Sequence, residues 1–451
     1  MQTHPSLEAP LGHPSHADAT AASGAPGATA PFAVETVRLR MLAVLWLIVA
    51  LVMAPSAIGA AVINARMATD LHMEKALLGS GFGLFITCMG LSAPLAAVCF
   101  RFFGIRNVAL GGTFLAATGS LLMGTVVSSG PSFAVAYGLM MGVGVGIAGI
   151  LPVQTVIAAW FVHRRALAVS VILSAVPLSG MVLSPTINWL MEANGTWRAG
   201  WWLAVACFGM AALLVWWAIP GKLALDPRSV GLGPEAHALQ STRSRVYKTS
   251  KSWEVGAAVK TRQFALLLLF NASIAVVWTF FLAYGVLHVQ DLGHSATTAA
   301  TVVSIVVASS LVGVGTAGIL GDRIPPHWLA AFAMLLCSLG LLLGRAPTGF
   351  IGLIAFAVVL GFGHGVSEVC LTTTLTNYFG AKAFPALFGI AFASGTVVAL
   401  SCTVGTGWLY DQIHSYRPAM LFGAGLTAVI ALLQLCNSPR VWLQSPAGDG
   451  T

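Results

Sequence analysis

Twelve stretches of this 451-residue chain are each long enough, and poor enough in charge, to cross a lipid bilayer as a helix. A bilayer core needs about 20 apolar helical residues. Runs of that kind recur at about 39–63, 76–99, 107–128, 132–159, 166–190 and 199–219, and again at about 264–287, 297–320, 328–344, 349–376, 384–409 and 417–436. Water cannot accommodate so many apolar faces without large exposed patches. Apolar residues make up 57% of the chain and charged residues only 8%, whereas a soluble domain is about 25% charged. Lipid is therefore the solvent this sequence is built for. That excludes an ordinary cytosolic enzyme and a disulfide-rich secreted scaffold. It also excludes a membrane barrel, whose spans are short and alternate.

The formal net charge of +8 then speaks to topology, and nucleic-acid binding is not expected. Cytoplasmic loops hold the excess of Lys and Arg. With the N-terminus inside, the inner regions carry 17 of these residues and the outer regions 5. Both termini are thus expected in the cytoplasm of a multi-pass protein of the cell (inner or plasma) membrane. The predicted organisation is a cytoplasmic tail over 1–34, a six-helix bundle over 35–219, a cytoplasmic linker over 220–262, a second six-helix bundle over 263–437 and a tail over 438–451. The first tail is rich in Pro, Ala, Gly, Ser and Thr and reads as disordered. It lacks the positive n-region of a cleavable leader.

The linker contains Lys222, Arg228, Arg243, Arg245, Lys248, Lys251, Lys260 and Arg262. Beside an anionic inner leaflet each such charge contributes attraction on the order of 1 kcal/mol, so anionic lipids are expected partners of this loop. One short helix is expected near 252–259.

Two places in the halves repeat one another. Ala97-Val98-Cys99-Phe100-Arg101-Phe102-Phe103-Gly104-Ile105-Arg106 follows the second span, and Gly318-Ile319-Leu320-Gly321-Asp322-Arg323-Ile324-Pro325 follows the eighth. Internal repetition of this kind marks carriers built from two related bundles. Gly318 and Gly321 allow close helix approach. Asp322 near a helix end can pair with an arginine of an adjacent loop, making an ionic latch. Asp322, Arg323, Arg101, Arg164 and Arg165 are the gating candidates, the alternative for Asp322-Arg323 being simple helix termination.

The Gly318…Gly321-Asp322-Arg323 run resembles the cytoplasmic signature of the major facilitator superfamily. The first copy departs from it, with Arg101 where the family usually has Asp. Gly142, Gly144 and Gly146, then Pro152, then Trp160-Phe161 with Arg164-Arg165 and Leu167-Ala168, resemble spans four to five of its monocarboxylate-transporter-like and oxalate/formate-antiporter-like branch. So do Gly195-Thr196-Trp197-Arg198, His288-Val289-Gln290-Asp291-Leu292-Gly293 and Asn377-Tyr378-Phe379-Gly380. The resemblance implies an all-α protein of twelve transmembrane helices in two six-helix bundles, moving a small organic acid by alternating access.

Inside the spans, polar groups are few. His364 and Glu368 in span ten are four residues apart and share a helix face. A carboxylate in the membrane is expensive unless hydrated, paired or protonated. The pair is the proton-coupling candidate, with a structural hydrogen bond as the alternative. A span beginning near Gly349 places His364 at cavity depth and Glu368 close to the inner interface. Substrate-cavity candidates are Asn64, Gln154, Asn188, Asn271, Tyr284, Ser304 and Ser309, each also explicable as a packing group. The resembled branch commonly carries a cation in span one, eight or eleven, and none of those interiors has one here.

The seven cysteines lack metal-ligand spacing, and no catalytic, cofactor or metal constellation is expected. The chain is therefore expected to be a secondary transporter and no enzyme, working as a monomer on a small organic solute with a proton as cosubstrate. Two other readings stay open: a carrier or exporter of a neutral or cationic organic compound, and a membrane sensor that binds solute without moving it.

Overall fold

A computed structural model describes residues 31–73, 75–161, 164–219, 246–249, 251–345 and 349–438. The expected tails over 1–30 and 439–451, and the linker over 220–245, lie outside the described residues. Internal contacts divide the chain into a short unit ending at Met41, helical from Pro31, and a unit from Leu42 onward. The helix therefore starts a few residues inside the stretch expected to be tail.

Every regular element among the described residues is helical. Among the described residues, ten helices are long and apolar enough to cross a bilayer. Eight of them each coincide with one expected span: Leu39–Asp70, Gly130–Trp160, Arg165–Asn194, Arg198–Ala218, Arg262–Asp291, Thr297–Leu320, Pro326–Gly344 and Arg417–Leu435. The other two, Gly79–Thr125 and Gly349–Ile413, are 47 and 65 residues long and each covers two expected spans.

The loops expected inside those two long helices are reduced to one residue apiece. Gly104 has φ 77° and ψ 156°, and Gly380 has φ 77° and ψ 170°. Only glycine adopts such backbone without strain. Each glycine therefore breaks its helix, while the residues on either side keep their helical hydrogen bonds.

Helix starts follow the local chemistry. The Thr261 side chain accepts from the Phe264 N–H at 3.2 Å, and Ser295 does the same for Thr298. Both satisfy amide donors that a helix N-terminus leaves free. Irregular π-helical turns occupy Ala54–Gly59, around Pro55, and Ala134–Met141.

Glycine sets the closest helix approaches. Gly142, Gly144 and Gly146 lie against backbone atoms of Phe85, Gly112 and Met89 respectively, so a side chain there would force the helices apart. This is the close packing that the glycine-rich run predicts. In the second half of the chain, Gly361 and Gly365 do the same against Val306 and Ser310. Gly90 against Thr396, and Gly389 against Ala93 and Pro94, join the two halves directly.

Candidate functional site

The helical run from Gly349 to Gly380 carries most of the polar groups that meet across the molecule. Along one face it presents His364, Glu368 and Thr372 at four-residue intervals, and Asn377 stands at its end.

His364 is buried, and its ring stacks on the Trp278 ring with centroids 4.3 Å apart and planes 17° apart. Its Nε2 lies 3.6 Å from Glu368 Oε1. That is within ion-pair range but too long for a hydrogen bond. Neither ring nitrogen finds a hydrogen-bond partner among the described residues. The Glu368 side chain is 37% exposed against 7% for His364, so its carboxylate faces an opening while the imidazole behind it is enclosed.

The helix starts at Gly349, where the sequence places it, and continues 12 residues beyond Glu368 to Gly380, which is about 18 Å at helical rise.

One turn further along, Thr372 Oγ1 donates to Gln154 Oε1 at 2.8 Å, deep in the interior and between helices of opposite halves. Then comes a cluster at the helix end. The Arg165 guanidinium is buried and donates through Nη1 to Asn377 Oδ1 at 2.8 Å, through Nε to the Phe161 carbonyl at 2.9 Å and through Nη2 to the Ala158 carbonyl at 3.4 Å. Asp322 Oδ1 accepts from the Ala166 backbone N–H at 3.4 Å.

The end of the linker closes over this cluster. The Thr249 N–H donates to the Asn377 carbonyl at 2.8 Å, and Trp253 packs edge-on to Phe379 at 5.5 Å. Lys251 Nζ sits 4.5 Å over the Trp253 ring. The short expected helix is present as Val255–Val259, with Ala258 buried, so it is packed against the bundle and not free on the surface. Burial, with Arg165 beside it, pushes the Lys248 ammonium below the usual lysine range, and Asp322 partly opposes this.

Of the gating candidates, Asp322 reaches the backbone N–H next to Arg165, but the two side chains form no ion pair among the described residues, so the expected ionic latch is replaced by the Arg165–Asn377 bond; Arg101, Arg164 and Arg323 are exposed. The cavity candidates do not converge. Asn271 donates to the Ala391 carbonyl at 2.5 Å, Tyr284 to the Thr403 carbonyl at 2.8 Å and Ser309 to the Ala357 carbonyl at 3.1 Å, each tying neighbouring helices together. Asn188 is exposed and donates to Glu192 at 2.7 Å on its own helix. Ser304 is exposed and bonds only to the Ala300 carbonyl. Asn64 is buried with its Oδ1 unpartnered among the described residues.

Trp278, Thr372 and Asn377 complete the constellation, and sequence reasoning gave none of them a role. A separate, mainly apolar cavity of about 320 Å³ lies between Val276, Phe280, Thr403, Thr406, Leu409 and Phe422, and none of the candidate residues lines it.

Membrane-length helices with polar groups meeting along one helix face are the arrangement of a polytopic membrane protein. The sequence model of the Major Facilitator Superfamily matches residues 45–313 and 266–449, and the chain belongs to that superfamily. It is a secondary-active transporter of a small solute and not an enzyme.

Among relatives, monocarboxylate transporter 13 of Bos taurus is 27% identical over 357 residues, 76% of each chain. An uncharacterised transporter, YycB, of Bacillus subtilis is 24% identical over 384 residues, 83% of this chain and 88% of that one. Among solved structures, the proton:xylose symporter XylE superposes with a TM-score of 0.70 at 16% identity, over 89% of this chain and 96% of that one. The human organic anion transporter MFSD10 gives 0.62 at 17% identity, over 88% and 98%.

Proposed function

We propose that this protein moves a small, monocarboxylate-like organic acid together with a proton, by alternating access between two six-helix bundles. The bundles are residues 35–219 and 263–437. Counting the breaks at Gly104 and Gly380 as reversals of direction turns the ten long helices into twelve crossings. The residue 220–262 linker and both termini then share the cytoplasmic side with Arg165 and Asp322, and on this reading the contacts around Arg165 are what shuts the path there.

The observation that carries the reading is the enclosed His364 beside the half-open Glu368 inside a helix long enough to cross a bilayer. Two ionisable groups are kept there at a solvation cost that a purely structural contact does not need. Relatives named as monocarboxylate transporters, at 25% to 27% identity, support the class of solute.

Counterflow in sealed proteoliposomes tests the reading. Labelled short monocarboxylates should exchange across the membrane, and an inward proton gradient should drive their accumulation. Binding without counterflow would instead make the protein a sensor. A second reading, transport of a neutral or cationic organic solute, draws on Glu368 as the only Asp, Glu, Lys or Arg between Gly349 and Gly380. Uptake of amines with no competition by carboxylates would favour it.

A further inference from the structure

Taking a carboxylate as substrate raises a charge problem that the site itself answers. The helices packed around His364 offer no fixed cation. There is no Asp, Glu, Lys, Arg or His within 79–100, 150–160, 263–287, 297–320, 328–344 or 383–410. The other titratable side chains on those stretches are cysteine thiols and tyrosine hydroxyls, of which the Cys337 residue packs against Gly363. Arg165, on a helix that also packs against this one, is held by Asn377 at the far end of the run, and the formal charge beside His364 among the described residues is Glu368, which has the same sign as the solute.

His364 is placed to resolve this. Its ring is held flat against Trp278, and both nitrogens are buried with no hydrogen-bond partner among the described residues. A buried polar group in a native site ordinarily has its partners supplied. Here the missing partner fits the substrate, and an imidazole that gains a proton is a cation able to hold a carboxylate. The aromatic face of Trp278 favours the same charged form.

We propose that protonated His364 is the cation that receives the substrate carboxylate, in place of a fixed arginine or lysine, and that Glu368 keeps its own proton while the substrate is bound. This rests on the organic-acid reading above. Charges then close to zero in both forms that must cross the membrane. The empty site holds one proton shared by His364 and Glu368. The loaded site holds the anion and a second proton, drawn from water on the side of entry and released with the anion on the other side. One proton thus travels per monocarboxylate, and it sits on His364.

The arrangement makes the roles of the two residues unequal, and full-length protein in proteoliposomes with labelled lactate and a panel of other short monocarboxylates tests it. His364→Gln should lower uptake at least about tenfold, because no other group supplies the counter-charge. Glu368→Gln, which fixes the neutral form, should retain stimulation by a proton gradient. Wild-type affinity for the anion should fall by up to about tenfold per pH unit wherever the empty site must take up the second proton on binding. The double variant His364→Arg with Glu368→Gln should exchange carboxylate with an affinity independent of pH, and should lose gradient-driven accumulation.

Full gradient-driven uptake by His364→Gln, or loss of the gradient response in a folded Glu368→Gln, would overturn this assignment alone. Absence of carboxylate counterflow in the wild type would overturn the organic-acid reading and this assignment with it. Should His364→Gln fail to fold, the pH dependence of the double variant against the wild type decides the matter.

Discussion

The middle and the end of the Gly349–Gly380 helix carry polar groups in opposite states. At the end, Arg165 has three acceptors, Asn377 is engaged through both its side chain and its carbonyl, and the linker covers the contact. In the middle, His364 has ring stacking and a 3.6 Å approach to Glu368 but no hydrogen bond. Satisfied polar groups hold a structure in one arrangement, whereas unsatisfied ones lower the free energy of binding something else. On the proposed reading, the difference separates a closed end of the transport path from a site left for a ligand.

If the end is what keeps the path shut, Arg165→Ala should have the largest effect on stability. It leaves Asn377 and two backbone carbonyls without their buried donor, a loss of about 3 kcal/mol. Thermal unfolding of the purified protein measures it, together with increased labelling of cysteines introduced beside Asn377. An unchanged melting temperature would erase the contrast between the two regions. Gly365→Leu comes next. A side chain there runs into the Ser310 carbonyl, and overpacking of this sort is worth about 2 kcal/mol. The same measurement should show it, with carboxylate affinity reduced because the His364 face is displaced.

Thr372→Val sharpens the boundary between the regions. It strands the buried Gln154 acceptor at a loss of about 1 kcal/mol, readable as a melting shift with pH-driven uptake preserved. The smallest effect concerns Lys248. Its folded value lies below the ordinary lysine range, so the charged form is disfavoured in the folded protein. Where the unfolded chain is protonated, that opposes folding, and the opposition is relieved as pH rises through the folded value toward the ordinary one. The melting temperature should therefore gain with pH in that alkaline window, and Lys248→Gln should flatten the gain.

The helices were legible because lipid imposes a length and an apolar content that can be counted along the chain. The breaks at Gly104 and Gly380 fall in the short gaps between expected spans, but that each is confined to a single glycine was not legible, since the residues around it keep their helical bonds. The His364–Glu368 pair was legible from spacing alone, and its helix starts at Gly349, where the sequence places it. Asn271, Tyr284 and Ser309 looked like cavity groups, and their partners proved to be carbonyls of neighbouring helices. Such bonds depend on which helices touch. The Arg165–Asn377 contact spans 212 positions, and no local pattern announces it. Trp278 was hidden among 13 tryptophans, most of which have ordinary reasons to be in a membrane protein.

Asn377 accepts from Arg165 with its side chain and from Thr249 with its backbone. A shift of that single residue therefore strains the bond to Arg165 and the bond to Thr249 at once. One amide and one carbonyl of the same amino acid thus couple two stretches far apart along the chain, so neither bond can be altered by moving Asn377 without disturbing the other.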